Sequence, residues 1–286
     1  MKEIAFATCA KYPTLTEDDR LMTAELDSFG IRIRPLVWDA EDEHHQHPHT
    51  IIIRSCWDYH HQPERFLQWV SREEESGSLI WNPARVIEWN LNKTYLRDLR
   101  AQGVRVPDTI WLERNTEASL SDILAAGAWR RAVVKPLVSA TAFRTWISSA
   151  EGAAAEQQAF EEVLAATGAM VQQFVPQVQT RGEWSLFFFG GRYSHAVLKR
   201  PKSGDFRVQE EYGGSSESAV PSAALLEQAA RILELIEDEL LFARIDGVEV
   251  DGELCLMELE LIEPFLFLSH DPLAPPRFAR AILERC

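Results

Sequence analysis

Short apolar runs alternate with amphipathic helical stretches along the first part of the chain. An almost wholly apolar run at residues 4–9 predicts a buried strand. Thr16 then has the character of a helix N-cap, and the apolar residues after it keep helical spacing up to Gly30. The same patterns predict two more strands and a second helix, at residues 31–37, 50–54 and 63–70. This βαβ alternation indicates a parallel-sheet lobe over residues 1–83.

The rest of the chain divides into two further predicted units, residues 84–168 and residues 169–286. In the first of these, helices and strands are predicted at residues 92–102, 109–112, 131–136 and 153–166. In the second, strands and a long helix are predicted at residues 170–175, 183–189, 193–199, 223–240, 243–250 and 254–262. The predicted fold is therefore mixed α/β (α+β), with the parallel-sheet lobe at its N-terminus.

Charge and composition narrow the choice of partners. The chain has 286 residues and a formal net charge of −15 at pH 7, so nucleic acid phosphates and anionic membranes repel it. No apolar run reaches the roughly 18 residues that cross a bilayer. The four cysteines are far apart and lack CxxC spacing, which indicates reduced thiols in a cytoplasmic protein. We therefore expect small-molecule partners, with neither nucleic acid nor membrane among them.

The last predicted hairpin concentrates acidic residues. Side chains alternate between faces along a strand, so Glu258 and Glu260 share one face, and Arg244 and Asp246 share a face of the preceding strand. A two-residue turn would place Asp246 opposite Met257. A three-residue turn would place Asp246 opposite Glu258 and Arg244 opposite Glu260, and we expect this register because it gathers all the charges on one face.

Three neighbouring carboxylates repel each other unless a cation lies among them. Their hard oxygen ligands suit Mg²⁺, which binds to one or two carboxylates together with nucleotide phosphates. The alternative for Asp246, Glu258 and Glu260 is a solvated strand face with scattered charges, and this pattern alone does not decide between the two interpretations.

Cations that would suit phosphate occur in two other regions. Lys135 ends a predicted buried strand, and the small residues that begin at Ser139 would let backbone N–H groups approach an anion. Lys199 and Arg207 belong to a strand end and a glycine-containing loop that could close over a transferring phosphoryl group. A surface lysine and a mobile, solvated loop are the alternatives.

Taken together, these features resemble the ATP-grasp superfamily from about residue 82 to Pro264, and the ATP-binding part of bacterial glutathione synthetase in particular. That family has a Gly-acid-x-Arg-x-Asn loop followed by Gly-Gly, and residues 204–209 and 213–214 stand in its place here. Its metal ligands are an acid on one strand and a Glu-x-Asn pair on the next. Asp246, Glu258 and Glu260 are similar to those three, with Glu260 in place of the asparagine.

The resemblance implies ATP and Mg²⁺, two ions of it, as cofactors, and it assigns further roles. The implied ATP-binding residues are Lys93, Lys135, Ser139, Gln172, Gln173, Phe174, Val175, Gln177 and Lys199. Arg207 and Arg244 resemble the arginines that stabilise the phosphoryl and acyl-phosphate groups. The chain departs from the family at the ribose, where Gln177 or Val178 replaces a common glutamate, and in the glycine-poor loop after Ser139.

Residues 54–59 and 258–264 resemble a group of short ATP-grasp proteins that includes the ligase closing the ring of D-cycloserine. Arg54 ends a parallel strand, where ligand crevices form, so Arg54, Trp57 and Asp58 are expected to contact the substrate. A packing cluster at the strand end is the alternative.

The implied activity is ATP-dependent ligation of a small-molecule carboxylate to an amine through an acyl phosphate. The rivals are ring closure within one amino-acid derivative and a regulatory ATP-binding protein without turnover. Dimerisation is common in the family, so a homodimer is left open.

Overall fold

The computed structural model describes residues 2–40, 47–202, 205–208 and 212–286. Gly204 and Gln209, the ends of the loop predicted from the family motif, lie outside these ranges. The described strands are β1 (Lys2–Thr8), β2 (Ile31–Val37), β3 (Thr50–Ser55), β4 (Leu79–Trp81), β5 (Thr109–Leu112), β6 (Arg131–Pro136), β7 (Trp146–Ser149), β8 (Ala169–Gln173), β9 (Glu183–Phe189), β10 (Arg192–Arg200), β11 (Ser215–Ser218), β12 (Phe242–Val250) and β13 (Glu253–Glu260). The described helices are α1 (Glu17–Ser28), α2 (Pro63–Glu75), α3 (Ala84–Leu91), α4 (Tyr95–Ala101), α5 (Leu120–Ala126), α6 (Gln157–Ala166), α7 (Gln177–Thr180), α8 (Ala223–Glu234) and α9 (Ala274–Leu283).

The N-terminal lobe is built on a parallel sheet of order β2-β1-β3-β4. Its first helix begins as predicted, because the Thr16 hydroxyl accepts a hydrogen bond from the Asp19 backbone N–H at 3.1 Å. The sheet's apolar side chains are buried under both neighbouring helices, and the lobe matches the predicted βαβ alternation.

The second sheet is antiparallel, with order β5-β8-β6-β7. Its strand β8 was predicted at the start of the third unit, but it pairs with β5 and β6 instead. Helix α6, which precedes β8 in the chain, packs against β6 and β8, and β8 lies between β5 and β6 in the sheet. The predicted boundary between the second and third units falls at residue 169. Strand β8 begins there and pairs with strands of the second unit.

The third sheet has the order β11-β10-β9-β12-β13. Helices α3 and α4, which precede the second sheet in the chain, pack on this third sheet through Val86, Leu96 and Leu99. The C-terminal helix α9 packs between the third sheet and α1 of the first lobe. The hydrophobic cores are therefore shared between sheets, and this holds the facing edges of all three units close together.

The acidic hairpin has the predicted residue pairing, but a two-residue turn and a bulge produce it. The predicted three-residue turn is wrong: Val250 pairs with Glu253, and Asp251 and Gly252 form a two-residue turn with φ of 56° and 81°. Both φ values are positive, as the preferred hairpin turns require. A one-residue bulge at Met257 then shifts the register, so that Asp246 pairs with Glu258 and Arg244 with Glu260.

No helix among the described residues is long and apolar enough to cross a membrane.

Candidate active site

A cavity of about 380 Å³ is bordered by residues of all three units. Its lining combines charged side chains with aromatic and apolar ones, and we call the part around Asp246, Glu258 and Glu260 the charged end and the part around Trp57 and Phe265 the aromatic end. The charged lining consists of Lys93, Lys135, Glu183, Lys199, Arg207, Arg244, Asp246, Glu258, Glu260 and Glu263. Strands of the second and third sheets carry most of these side chains, so the cavity has a fixed frame.

The three predicted metal ligands lie together in this cavity. Asp246, Glu258 and Glu260 each offer one oxygen within 4.8 Å of the others. Arg244 bridges two of them: its Nε and Nη2 donate to Asp246 Oδ2 at 3.0 and 2.9 Å, and Nη2 also donates to Glu260 Oε1. Lys93 Nζ donates to Glu258 Oε1. The pairing predicted for the hairpin therefore does gather the acids with the arginine.

Two further lysines extend the charged end. Lys199 Nζ lies 2.7 Å from Glu183 Oε1 and 3.2 Å from Asp246 Oδ1. On the second sheet, Lys135 Nζ donates to Gln172 Oε1 at 3.3 Å. Lys93, Lys135 and Lys199 thus line the cavity from three elements, the loop after α3, β6 and β10. Three ammonium groups around one opening are suited to a polyphosphate.

The electrostatic environment shifts the pKa values of the four acidic side chains in different directions. Burial raises the pKa of Asp246, but Arg244 and Lys199 outweigh it and hold the pKa down to about 2. Burial likewise opposes ionisation of Glu258, yet Lys93 and Lys135 lower its pKa below the usual value. For Glu260 burial prevails over Arg244 and raises the pKa to about 7. Burial, reinforced by Glu260, raises the pKa of Glu263 to about 8.

The expected adenine-binding strand lies at the edge of the cavity. Some of its side chains line the cavity and others do not. Phe174 and Val175 line the cavity together with Val133, Val178 and Met257, and they form an apolar slot. Gln172 is buried beneath, where its Nε2 donates to Thr109 Oγ1 at 3.2 Å. Gln173 is exposed, and neither it nor Gln177 is among the lining residues. Of the two residues considered for the ribose position, Val178 lines the cavity and Gln177 does not.

Ser139 and Arg207 both line the cavity, as expected for phosphate contacts. Ser139 is buried near the start of the loop that joins β6 and β7. The Arg207 guanidinium is held by Asp205, with Nη2 2.9 Å from Oδ2, and it lies over the Tyr212 ring at 3.8 Å. Arg207 is therefore fixed by its own loop within the described residues 205–208 and 212.

Of the three predicted substrate residues, one lines the cavity and two do not. Trp57 lines the cavity. Arg54 does not: it is 1% exposed, and its Nε and Nη2 donate to Asp19 Oδ1 at 2.9 Å and to the Pro264 carbonyl at 3.1 Å. Asp58 accepts a hydrogen bond from Trp38 Nε1 at 2.8 Å and is also outside the lining. Arg54 and Asp58 therefore belong to the packing alternative, because α1 and residues 264–268 cover the end of β3.

Several lining residues were not singled out from the sequence. Glu183 was interpreted only as the start of a hairpin, and Glu263 only as part of a motif. Tyr59, Phe265 and Phe267 complete the aromatic end. The signal for Glu263 was its position at the end of the strand that carries the other acids, and the signal for Glu183 was its cross-strand partner Lys199.

The donor set fits a divalent cation at two of the three acids. Glu258 and Glu260 each keep one oxygen, Oε2, without a hydrogen-bond partner among the described residues. Both oxygens of Asp246 already accept, from Ser185, Lys199 and Arg244. A cation that used Asp246 would have to displace one of these donors, whereas Glu258 and Glu260 have oxygen ligands to offer.

Comparison with known structures defines the class. The fold is that of the ATP-grasp ligases: the ATP-grasp ligase PsnB gives a TM-score of 0.67 at 18% identity over 99% of both chains. D-alanine–D-alanine ligase from Bacillus anthracis gives 0.74 at 14% identity, covering 99% of this chain and 97% of the other. The predicted ATP-grasp fold is confirmed.

More similar proteins define the family. The crystal structure of D-cycloserine synthetase DcsG gives a TM-score of 0.89 at 26% identity over 99% of both chains. The cycloserine biosynthesis protein DcsG of Streptomyces lavendulae is 34% identical over 256 residues, 82% of this chain and 83% of that protein. The family model of the DcsG N-terminal domain matches residues 4–82. The chain belongs to the DcsG family of ATP-grasp ligases. It is an enzyme that ligates a carboxylate to an amine at the expense of ATP.

Proposed function

We propose that the cavity binds Mg-ATP at its charged end and an amino-acid-like substrate at its aromatic end. The observation that carries this proposal is the convergence of Lys93, Lys199 and Arg244 on three clustered carboxylates in one opening. Glu258 and Glu260, with Asp246 after a donor exchange, would hold two Mg²⁺ ions. Bound Mg²⁺ would neutralise phosphate charge and polarise the phosphoryl group.

The protein's own residues position and stabilise rather than react. Lys93, Lys135 and Lys199 would hold the phosphate oxygens, and the slot around Phe174 would receive the adenine. The substrate carboxylate attacks the γ-phosphorus of ATP, giving an acyl phosphate and ADP. The amine then attacks the carbonyl carbon and inorganic phosphate leaves. Arg207 and Arg244 would stabilise the charge that develops on the oxygens.

Ring closure within one molecule is the more specific candidate. It is favoured by the family match over residues 4–82, because that match covers the N-terminal lobe, where we expect the substrate to be selected. In this case the carboxylate and the amine belong to the same amino-acid derivative, as in the formation of D-cycloserine.

We also infer a cytoplasmic location, which the four free cysteines support.

The test is ADP release with Mg-ATP across amino acids, dipeptides and O-substituted serines, for wild type and Glu258→Ala. Release that depends on one added compound and is lost in the variant would establish the ligase, and mass analysis of the product separates ring closure from joining of two molecules. Glu227→Ala, an exposed change on α8, is the control and should match wild type. ATP binding without compound-dependent ADP release would favour the regulatory alternative, and absence of Mg-ATP binding would refute the proposal.

A further inference from the structure

Glu263 is a buried carboxylate that lacks a partner. It is 9% exposed and lines the cavity. Among the residues that the structure describes, no hydrogen bond or ion pair reaches its side chain. The neighbouring cations are already engaged, Lys93 with Glu258 and Arg244 with Asp246 and Glu260. A buried carboxylate without a counter-charge is unfavourable, so the free side chain favours its protonated form, and a cation that the protein does not supply would favour the ionised form.

The backbone that carries Glu263 is fixed from three directions. The carbonyls of three consecutive residues each accept a hydrogen bond from a different element. Trp57 Nε1 donates to the Glu263 carbonyl at 2.9 Å, Arg54 Nη2 to the Pro264 carbonyl at 3.1 Å, and Arg244 Nη1 to the Phe265 carbonyl at 3.0 Å. The backbone at Glu263 is thus held at a constant place in the wall, from which the side chain can act in recognition.

Aromatic residues line the cavity near the backbone of Glu263, since Trp57 donates to its carbonyl and Phe265 follows two residues later. The rings of Trp57 and Phe265 lie 6.1 Å apart, and those of Phe265 and Phe267 lie 4.7 Å apart at 81°. Tyr59 also lines the cavity. Aromatic faces attract organic cations, and a carboxylate among such rings is typical of a site for an alkylammonium group. We call these four rings and Glu263 the ammonium chamber.

We propose that Glu263 binds an ammonium group of the substrate, distinct from the neutral amine that attacks the carbonyl carbon, and so determines the enzyme's specificity for amino-acid-like compounds. This inference rests on the proposed function, because it places the substrate's amino end in the chamber and its carboxylate toward Arg244. A second metal site is the less suitable interpretation. The clustering of acids within 4.8 Å unites Asp246, Glu258 and Glu260 but does not include Glu263, and aromatic rings are not Mg²⁺ ligands.

The direct test does not depend on turnover. n-Propylammonium chloride is titrated into the Mg-ADP complex, and the indole N–H signal of Trp57 is followed by NMR, with n-propanol as the neutral match. We expect saturable shifts with the ammonium ion and none with the alcohol. Glu263→Gln should weaken ammonium binding at least tenfold, whereas Glu227→Gln on exposed α8 should leave it unchanged.

Equal binding of propylammonium to wild type and Glu263→Gln, or no binding to wild type, would overturn the inference. If Glu263→Gln does not fold, Glu263→Asp serves instead: it keeps the charge but withdraws it by one methylene, and it should retain selectivity for ammonium over alcohol with weaker binding. With a compound that supports ADP release, Glu263→Gln should raise its KM at least tenfold without changing KM for Mg-ATP. Absence of ADP release in every variant would instead contradict the ligase assignment, separately from the ammonium titration.

Discussion

Asp246 and Glu258 are directly paired across β12 and β13, although a regular ladder counted from the two-residue turn would set Asp246 opposite Met257. The bulge at Met257 supplies the missing residue. Without it, Asp246 would be opposed by an apolar side chain and Glu258 would turn to the other face of the sheet. The candidate metal site therefore depends on a local irregularity of the strand pair.

Gly247, beside this bulge, has no room for a side chain. A Cβ there would lie 2.6 Å from Leu254 Cδ1 and 3.0 Å from the Cys255 carbonyl oxygen. We expect Gly247→Ala to destabilise the protein by about 1–3 kcal/mol through overpacking, and to weaken Mg-ATP binding because the strands must separate. Urea unfolding and calorimetric titration measure the two effects. In the control Gly152→Ala, the nearest atom is the Ser149 hydroxyl at 3.3 Å, and the expected effect is smaller. Equal effects would refute the argument.

A second bulge, in the hairpin of β9 and β10, determines the pairing of Glu183 and Lys199 at the charged end. Counting from the Gly190-Gly191 turn, a regular hairpin would pair Glu183 with Leu198, but a shift between Tyr193 and His195 pairs it with Lys199. The alternation of polar and apolar residues predicted both hairpins and their approximate bounds. It could not predict the bulges, because an extra residue is accommodated by contacts with neighbouring strands that are distant in sequence.

Lys199 lies between the buried carboxylate of Asp246 and the partly buried carboxylate of Glu183. Lys199→Met should destabilise the protein by about 3–5 kcal/mol, because it removes the cation that both carboxylates share. Adding Glu183→Gln in the same chain should recover part of the loss. Denaturant unfolding of the single and double variants measures this coupling. Arg105→Met breaks an exposed pair with Glu253 and should change stability by less than about 1 kcal/mol. A loss in Lys199→Met no larger than in this control would contradict the burial argument.

Arg54 shows why the substrate side was harder to predict. The end of a parallel strand is a frequent ligand crevice, and this general rule placed Arg54 there. Its hydrogen bond to the Pro264 carbonyl joins residues 210 positions apart in the chain. A local pattern cannot reveal that residues 264–268 cover this strand end. Trp57, a few residues later in the same motif, does reach the cavity.

If Arg54 is structural, its loss should affect stability rather than nucleotide binding. Arg54→Met leaves the buried Asp19 carboxylate unpaired, and we expect a loss of about 3–5 kcal/mol in the free energy of unfolding. The double variant with Asp19→Asn should regain part of it. The dissociation constant for Mg-ATP, measured where both proteins are folded, should be unchanged. A stable variant with impaired Mg-ATP binding would instead place Arg54 in the site.

His195 should make the protein sensitive to acid. Its ring lies 4.3 Å from Phe187 in a stacked arrangement, and it is 4% exposed. Nε2 lies 2.9 Å from the Leu266 carbonyl, which can only accept, so the neutral ring carries its proton on Nε2. Burial lowers the pKa of His195 from 6.5 to about 4.

The folded protein therefore binds fewer protons at His195 than the unfolded chain does between pH 4 and 6.5. Its contribution to stability is complete above pH 6.5 and is lost progressively as the pH falls toward 4, on the order of 3 kcal/mol in all. Urea unfolding across this range, compared between wild type and His195→Gln, should show a smaller pH dependence in the variant. The exposed change His49→Gln should leave the wild-type slope intact. If His195→Gln has the same slope as wild type, the acid sensitivity must come from other groups, because the difference between the two proteins isolates the proton taken up by this ring.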